Sequence, residues 1–262
     1  MIRVVSLDLW GTLIDMGDRD AARAWRLREF ALVLEEFGHP VDAGALQEAT
    51  DDAHREHLRR QRHHGEQLAP RAQIADVLAR LDVPFRDDLL DVLVVVHTHA
   101  VLRACPEPAP GAHEVLRQLH DSGRRVVVSS NTLTSVGKVV RSILEYRGLA
   151  DLVDGVYFSD ELGVAKPHPS YFRAVADEVH ADPTEILHLG DDWRTDVRGA
   201  TEAGWQAVWF NPAGATAPAM AVVQDIARFD MLVPLLDLPS TAPDSAPFPR
   251  RPTRKVAGGP IS

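Results

Sequence analysis

The hydrophobic positions begin as one short unbroken run and then change to helical spacing. Residues 2–9, "IRVVSLDL", are β-branched and closed by Gly11-Thr12, which predicts a buried strand. Residues 19–37 repeat Ala, Leu and Phe at helical spacing until "FGHPVD" breaks the pattern. A polar helix is expected over 43–64. Over 71–82, "RAQIADVLARLD" sets Ile74, Val77, Leu78 and Leu81 on one side of another helix. A further helix spans 87–103, so the stretch from about 20 to 105 reads as all-helical.

Past the Pro-rich connection "CPEPAPG" at 105–111, strand and helix alternate. Helix 111–122 stops at Gly123, and "RRVVVSSN" is a strand. Helix 133–147, strand "GVYFS", helix 168–180, strand "EILHLGD", helix 194–203 and strand "QAVWF" follow. Such alternation implies a parallel sheet covered on both faces. The first strand must join it, because alone it could not bury two apolar faces. The expected fold is α/β: a parallel sheet core from 1–14 and 109–236, with an all-helical insertion at 15–108. Residues 237–262, rich in Pro, Ser and Ala, read as a disordered tail whose Arg250, Arg251, Arg254 and Lys255 are solvated.

Bulk numbers narrow the function. The 262 residues are 45% hydrophobic, enough for a sizeable core. A formal net charge of −10 argues against a basic surface for nucleic acid. Cys105 is the one cysteine, so an internal disulfide is impossible and a reducing compartment fits. The N-terminus lacks a secretory pattern, and "LLDVLVVVHTHAVL" falls well short of the roughly 20 residues a membrane span needs. A cytoplasmic monomer or homodimer acting on a small molecule, with no nucleic-acid or membrane partner, is expected.

In an open parallel sheet, ligands sit beyond the carboxyl ends of the strands. Asp8 and Thr12 follow the first strand; Ser129, Ser130 and Asn131 follow the second; Lys166 lies after the third; Asp191, Asp192 and Asp196 follow the fourth, in "GDDWRTD". Carboxylates meeting at one point repel, so a divalent cation is expected among them, and oxygen-only ligands favour Mg²⁺. A cation and a lysine together neutralise a phosphoryl group in its transition state, while Ser130 and free N–H groups hold the remaining oxygens. A carboxylate pinned there can attack phosphorus and form an aspartyl-phosphate, which water hydrolyses. Asp192 and Asp196 also suit a plain helix N-terminus.

The segments "LDLWGTL", "VVVSSNT", "VAKPHPSYF" and "HLGDDWRTDVRGA" occur in the order found in the haloacid dehalogenase-like (HAD) superfamily, which the chain resembles over residues 1–236. The resemblance implies a Rossmann-like core, with 15–108 as a helical cap over the site. It implies Asp8 as nucleophile, the Trp10 backbone carbonyl as a metal ligand, Ser130 as a donor to phosphate and Lys166 as a charge clamp. Asp191 would ligate the metal, with Asp192 or Asp196 ligating or supporting it. Thr12 and Asn131 fall among the substrate-binding positions.

One position departs from the family pattern. Phosphatases of this family usually carry Asp two residues after the nucleophile, as the acid that protonates the leaving alkoxide. Here that residue is Trp10, and losing such a catalyst typically forfeits about 10²–10⁴ in rate. The leaving group could need no proton. Alternatively the insertion could lend an acid from His54, His57, His63 or His64, or Asp15 could serve. Dehalogenases of the family carry an aromatic residue here, and "SSN" leans the same way; the acidic "GDDWRTD" leans against them. Mg²⁺-dependent hydrolysis of a small phosphorylated metabolite therefore ranks first. A 2-haloacid dehalogenase-like hydrolase, or a weakly active module that binds a phosphorylated ligand, stands behind it. Trp25, Phe30 and Phe37 read as cap core, and His188 as a strand residue facing the core or a sheet edge.

Overall fold

A computed structural model of the chain describes residues 1–218 and 223–236; the predicted tail lies outside the described residues. The first strand, β1 (Val4–Leu7), is buried at every position. It pairs in parallel with β2 (Arg125–Ser130) on one side and β4 (Ile186–Gly190) on the other, so Val5 faces both Val126 and Leu187. β3 (Gly155–Phe158) extends the sheet beyond β2; β5 (Gln206–Phe210) and β6 (Gln224–Ile226) extend it beyond β4. The order β3-β2-β1-β4-β5-β6 reverses direction at β1, which opens a crevice at its carboxyl end.

Both faces of the sheet are covered, which explains why β1 and β2 read as continuous apolar runs rather than alternating ones. On one face Val5, Leu7, Val126 and Val128 pack under Val115, Leu116 and Leu119 of α5 (Ala112–Asp121) and Val140 and Ile143 of α6 (Gly137–Tyr146). On the other, Val4 and Val127 meet Tyr171, Phe172, Val175 and Val179 of α8 (Pro169–Val179), with Trp205 beside them. A short α7 (Ser159–Leu162) leads from β3 toward the loop that holds Lys166.

Between β1 and α5 the chain makes four helices: α1 (Arg19–Glu36), α2 (Ala43–His64), α3 (Pro70–Arg80) and α4 (Asp87–His99), with a 3₁₀ turn at Ala100–Arg103. Local chemistry sets their ends. The Asp18 and Asp42 carboxylates accept from the N–H groups of Ala21 (2.8 Å) and Ala45 (3.0 Å). Gly65, at φ +66°, closes α2 in the left-handed region. Phe30, Leu34, Leu46, Ile74, Leu78, Leu89 and Leu93 form a core of their own, so the insertion is a second packed body, the helical cap. Phe30 and Phe37 belong to that core, whereas Trp25 lies under the Arg103 guanidinium, 4.9 Å from its ring centroid.

The cap is fastened to the core mainly by neutral groups. Gln61 and Gln67 donate to the Thr132 carbonyl at 3.3 and 2.9 Å, and Gln73 donates to Leu133 at 2.7 Å. The Ala165 N–H donates to the Gly65 carbonyl at 2.8 Å, beside a Glu66–Val164 bridge. The Arg62–Asp192 ion pair, at 2.5 Å, adds a charged contact.

Two elements depart from expectation. The helix expected over 194–203 is a π-helical turn, Trp193–Arg198, running into the short α9 (Gly199–Glu202). β6 and α10 (Leu232–Leu236) were not foreseen: β6 is three residues long and buries only Ile226, too little to leave a pattern. Among the described residues, no helix is long and apolar enough to cross a membrane.

Candidate active site

Asp8 follows β1 directly and is 6% exposed; its N–H donates to the Leu189 carbonyl at 2.8 Å, which fixes it beside the end of β4. The chain then turns tightly, with Ile14 donating to Leu9 at 2.8 Å and Gly11 at φ +76°. A Cβ on Gly11 would lie 2.6 Å from Asp191 Oδ2, so glycine is needed both for the turn and for room beside that carboxylate. Gly190 is constrained in the same way, because a Cβ there would lie 2.4 Å from the Asp196 carboxylate.

Lys166 is the centre of charge. Its side chain, 1% exposed, places Nζ 2.8 Å from Asp8 Oδ1, 2.7 Å from Asp196 Oδ1 and 2.7 Å from the Ser129 carbonyl. The Asn131 amide holds the Lys166 backbone from both ends: Nδ2 donates to the Lys166 carbonyl and Oδ1 accepts from its N–H, each at 2.8 Å. The Asn131 side chain thus positions the lysine backbone, and the residue also lines the cleft. Below lies a buried chain not foreseen as part of the site. Ser6 Oγ donates to Ser129 Oγ at 2.8 Å and lies 3.0 Å from His188 Nδ1, and His188 Nε2 lies 3.4 Å from Lys166 Nζ. His188, expected at the core or a sheet edge, is wholly buried beneath the lysine. The alternation "VSL…VVSS…LHL" puts these residues on strands but cannot say that their polar ends meet.

Carboxylate oxygens of Asp8, Asp191 and Asp196 all lie within 4.8 Å of one another. Burial raises the Asp8 pKa, Lys166 opposes the rise, and Asp196 adds to it. Asp191 is also raised, by burial and then by Asp8, Asp196 and Asp192, even though part of its side chain reaches solvent. Burial works against ionised Asp196 too, but Lys166 and His188 outweigh it and hold that carboxyl well below the usual range. For Lys166, burial opposes the charge, and Asp196 and Asp8 overcome it. The lysine is therefore a fixed cation.

An all-oxygen cluster, acidic and self-repelling, with two glycines clearing space around it, fits a hard divalent cation such as Mg²⁺. Asp192 stands apart from it. Its Oδ1 accepts from the N–H groups of Arg194 (2.9 Å) and Thr195 (3.1 Å), and its other oxygen pairs with Arg62. It starts the following turn, as an acidic residue at a helix N-terminus does. Its own N–H donates to Asp196 Oδ2 at 2.9 Å. Trp209 Nε1 donates to the Asp191 carbonyl at 2.9 Å and stacks edge-on with Trp193, which braces the loop.

A cleft of about 890 Å³ lies between core and cap. Asp8, Trp10, Ser130, Asn131, Lys166 and Asp191 form its floor, and α1 and α2 form the facing wall. Thr12 is buried beside it, its Oγ1 without a hydrogen-bond partner. Of the proposed substitute acids only His54 lines the cleft, and burial, then Arg26, push its pKa down to about 4. His57 pairs with Asp76 at 2.9 Å, His63 and His64 are exposed, and Asp15 accepts from the Gly17 N–H at 2.6 Å.

A sheet of this order, an inserted helical cap and a lysine-centred acidic cluster at the switch point mark one hydrolase class. Residues 2–204 match the haloacid dehalogenase-like hydrolase family, and the chain belongs to it. The glyceraldehyde 3-phosphate phosphatase of Pyrococcus abyssi is 28% identical over 212 residues, covering 80% of this chain and 82% of that one. The solved 2-haloacid dehalogenase of Pseudomonas syringae pv. Tomato superposes with a TM-score of 0.66 at 26% identity, over 90% of this chain and 98% of that one. The magnesium-bound HAD hydrolase YfnB of Bacillus subtilis gives a TM-score of 0.63 at 18% identity, over 90% of this chain and 99% of that one, a likeness of fold. The chain is an enzyme of the hydrolase class.

Proposed function

We propose that the enzyme is a Mg²⁺-dependent phosphatase that passes a phosphoryl group through Asp8. The observation that carries this reading is the Asp8–Asp191–Asp196 cluster: Lys166 pairs with Asp8 and Asp196, Asp191 has no such partner among the ion pairs of the floor, and the three together would repel an anionic substrate unless a cation lay among them. Asp8, Asp191 and Asp196, with the Trp10 carbonyl, would hold the ion, which supplies charge neutralisation for the transferring group. The similarity to glyceraldehyde 3-phosphate phosphatase supports a small phosphorylated metabolite as substrate.

The chain's own groups divide the work. An Asp8 carboxylate oxygen attacks phosphorus, and the bond to the leaving oxygen breaks with its electron pair. Lys166 holds Asp8 ionised and aimed, because Asp196 and the Ser129 carbonyl fix its ammonium from the other sides. The Ser130 hydroxyl, whose nearest partner is the Asn131 carbonyl at a weak 3.5 Å, is free to turn toward a phosphate oxygen. Water then cleaves the aspartyl-phosphate and releases inorganic phosphate. Trp10 supplies no proton, and His54, neutral near pH 7, is a poor acid there. Leaving groups that depart without protonation, acyl phosphates and phenolic esters, suit this site.

The test is hydrolysis of acetyl phosphate and p-nitrophenyl phosphate with Mg²⁺, with EDTA and with Asp8→Asn. Activity that needs the metal and vanishes in Asp8→Asn supports the proposal. Metal-independent halide release from a 2-haloacid would replace it with the dehalogenase reading, which the aromatic Trp10 and the structural likeness to 2-haloacid dehalogenase favour. Binding of a phosphate ester with no turnover at any metal concentration would leave a binding module.

A further inference from the structure

The cap wall holds a buried cation with an unpaired donor. Arg26, on α1, lines the cleft across from Lys166, and its Nε is buried without a hydrogen-bond partner. The carboxylate near it is already engaged: Asp51 accepts Nε of Arg23 at 3.0 Å and a second, shorter bond from the same guanidinium. Arg62, on the same wall, is tied to Asp192. Burial, and then the like charge of Arg23, act against ionised Arg26, while Asp51 acts for it. A guanidinium stays charged regardless, so the group is a desolvated cation with an open donor. Leaving such a donor unpaired costs free energy that an incoming anion recovers.

The volume points the same way. A cleft of about 890 Å³ lies within the range of sites for whole small molecules and far exceeds a phosphoryl group. His54, uncharged near neutrality, lies on the same wall and adds a neutral hydrogen-bonding group.

We propose that Arg26 receives a second anionic group of the substrate, a carboxylate or a phosphate, at the end remote from the scissile phosphoryl group. The inference rests on the phosphoryl-transfer reading of the floor, and it makes the substrate class small molecules with two anionic ends. Selectivity is then a property of the cap's first helix.

The test is equilibrium binding, which does not depend on turnover. In an Asp8→Asn background with Mg²⁺, calorimetric titration compares glycerol 3-phosphate, 3-phosphoglycerate and glycerol 1,3-bisphosphate. The last two carry the remote carboxylate and the remote phosphate. At least one should bind about tenfold or more tightly than glycerol 3-phosphate, the worth of a charge-assisted hydrogen bond. Arg26→Gln should erase that advantage, and Arg26→Lys should keep part of it, with thermal melts showing both variants folded. Equal affinity for all three ligands, or an advantage that survives Arg26→Gln, overturns the inference while leaving the phosphoryl site intact. Failure of all three and of inorganic phosphate to bind overturns the phosphoryl reading, and the inference with it.

Discussion

Replacing Lys166 by methionine tests the electrostatic design of the floor more directly than replacing the nucleophile. The side chains are close in volume, so no cavity opens and the change is one of charge. The lysine is 1% exposed and satisfies Asp8, Asp196 and the Ser129 carbonyl, all within 2.8 Å. Methionine leaves two buried carboxylates facing each other, with Asp191 close by. Breaking one buried pair costs about 3–5 kcal/mol, and here one cation serves two partners, so the upper part of that range is expected at pH 8. The loss depends on pH with a definite sign. In the wild type Lys166 holds Asp196 below its unfolded value, so that carboxyl stabilises the fold above the ordinary carboxylate range and loses the effect in acid. Without the lysine, burial and mutual repulsion raise both carboxyls above their unfolded values. The variant then loses stability as pH climbs through the raised values, at about 1.4 kcal/mol per unit for each group. Urea unfolding in EDTA at pH 5 and pH 8, read by tryptophan fluorescence and circular dichroism, should show a wider gap between the two proteins at pH 8. A gap below about 1 kcal/mol at pH 8, or one equal at both pH values, would refute the reasoning.

Trp10→Asp should raise kcat/KM on alkyl phosphates by up to about 10²–10⁴, and no gain in a folded variant that still binds Mg²⁺ would show that position 10 is not where the acid is missing. Gly190→Ala pushes a methyl into the Asp196 carboxylate, so denaturant unfolding should register a loss of about 1–3 kcal/mol and turnover should collapse; retention of both would contradict the close approach described. Adding Mg²⁺ to the metal-free protein at about 100 times its Kd should stabilise it by about 2.7 kcal/mol in a thermal melt, and Asp191→Asn should abolish the shift. A wild-type protein whose melting does not respond to Mg²⁺ would argue that the cluster holds no cation.

The parallel sheet was legible because burial on both faces leaves unbroken apolar runs, and the helices of the insertion because their stripes repeat at 3.6 residues. Asp8, Lys166, Asp191 and Asp196 were legible because each directly follows a strand or lies in a loop beyond one, where ligands gather. Which acids meet was not. Asp192 and Asp196 look alike in "GDDWRTD", and the π-helical turn decides that one starts the turn while the other points at the lysine. Asn131 read as a substrate-binding position, and sequence spacing cannot show that its amide also closes on a backbone 35 residues away. Ser6, Ser129 and His188 were invisible as a unit, since strand register aligns them and no local pattern does. Arg26 was one of four arginines in the helix read from its Ala, Leu and Phe spacing, and its unpaired Nε exists only in three dimensions.

The glutamines that bridge to Thr132 and Leu133 grip the loop two and three residues past Ser130, and the strand-like contact at Gly65 holds Ala165, next to Lys166. A displacement of the cap would therefore pull on the backbone that carries the reactive groups. Because those grips are amides rather than charges, brine would not loosen them. The position of the cap and the aim of the floor's side chains are held by one and the same set of peptides.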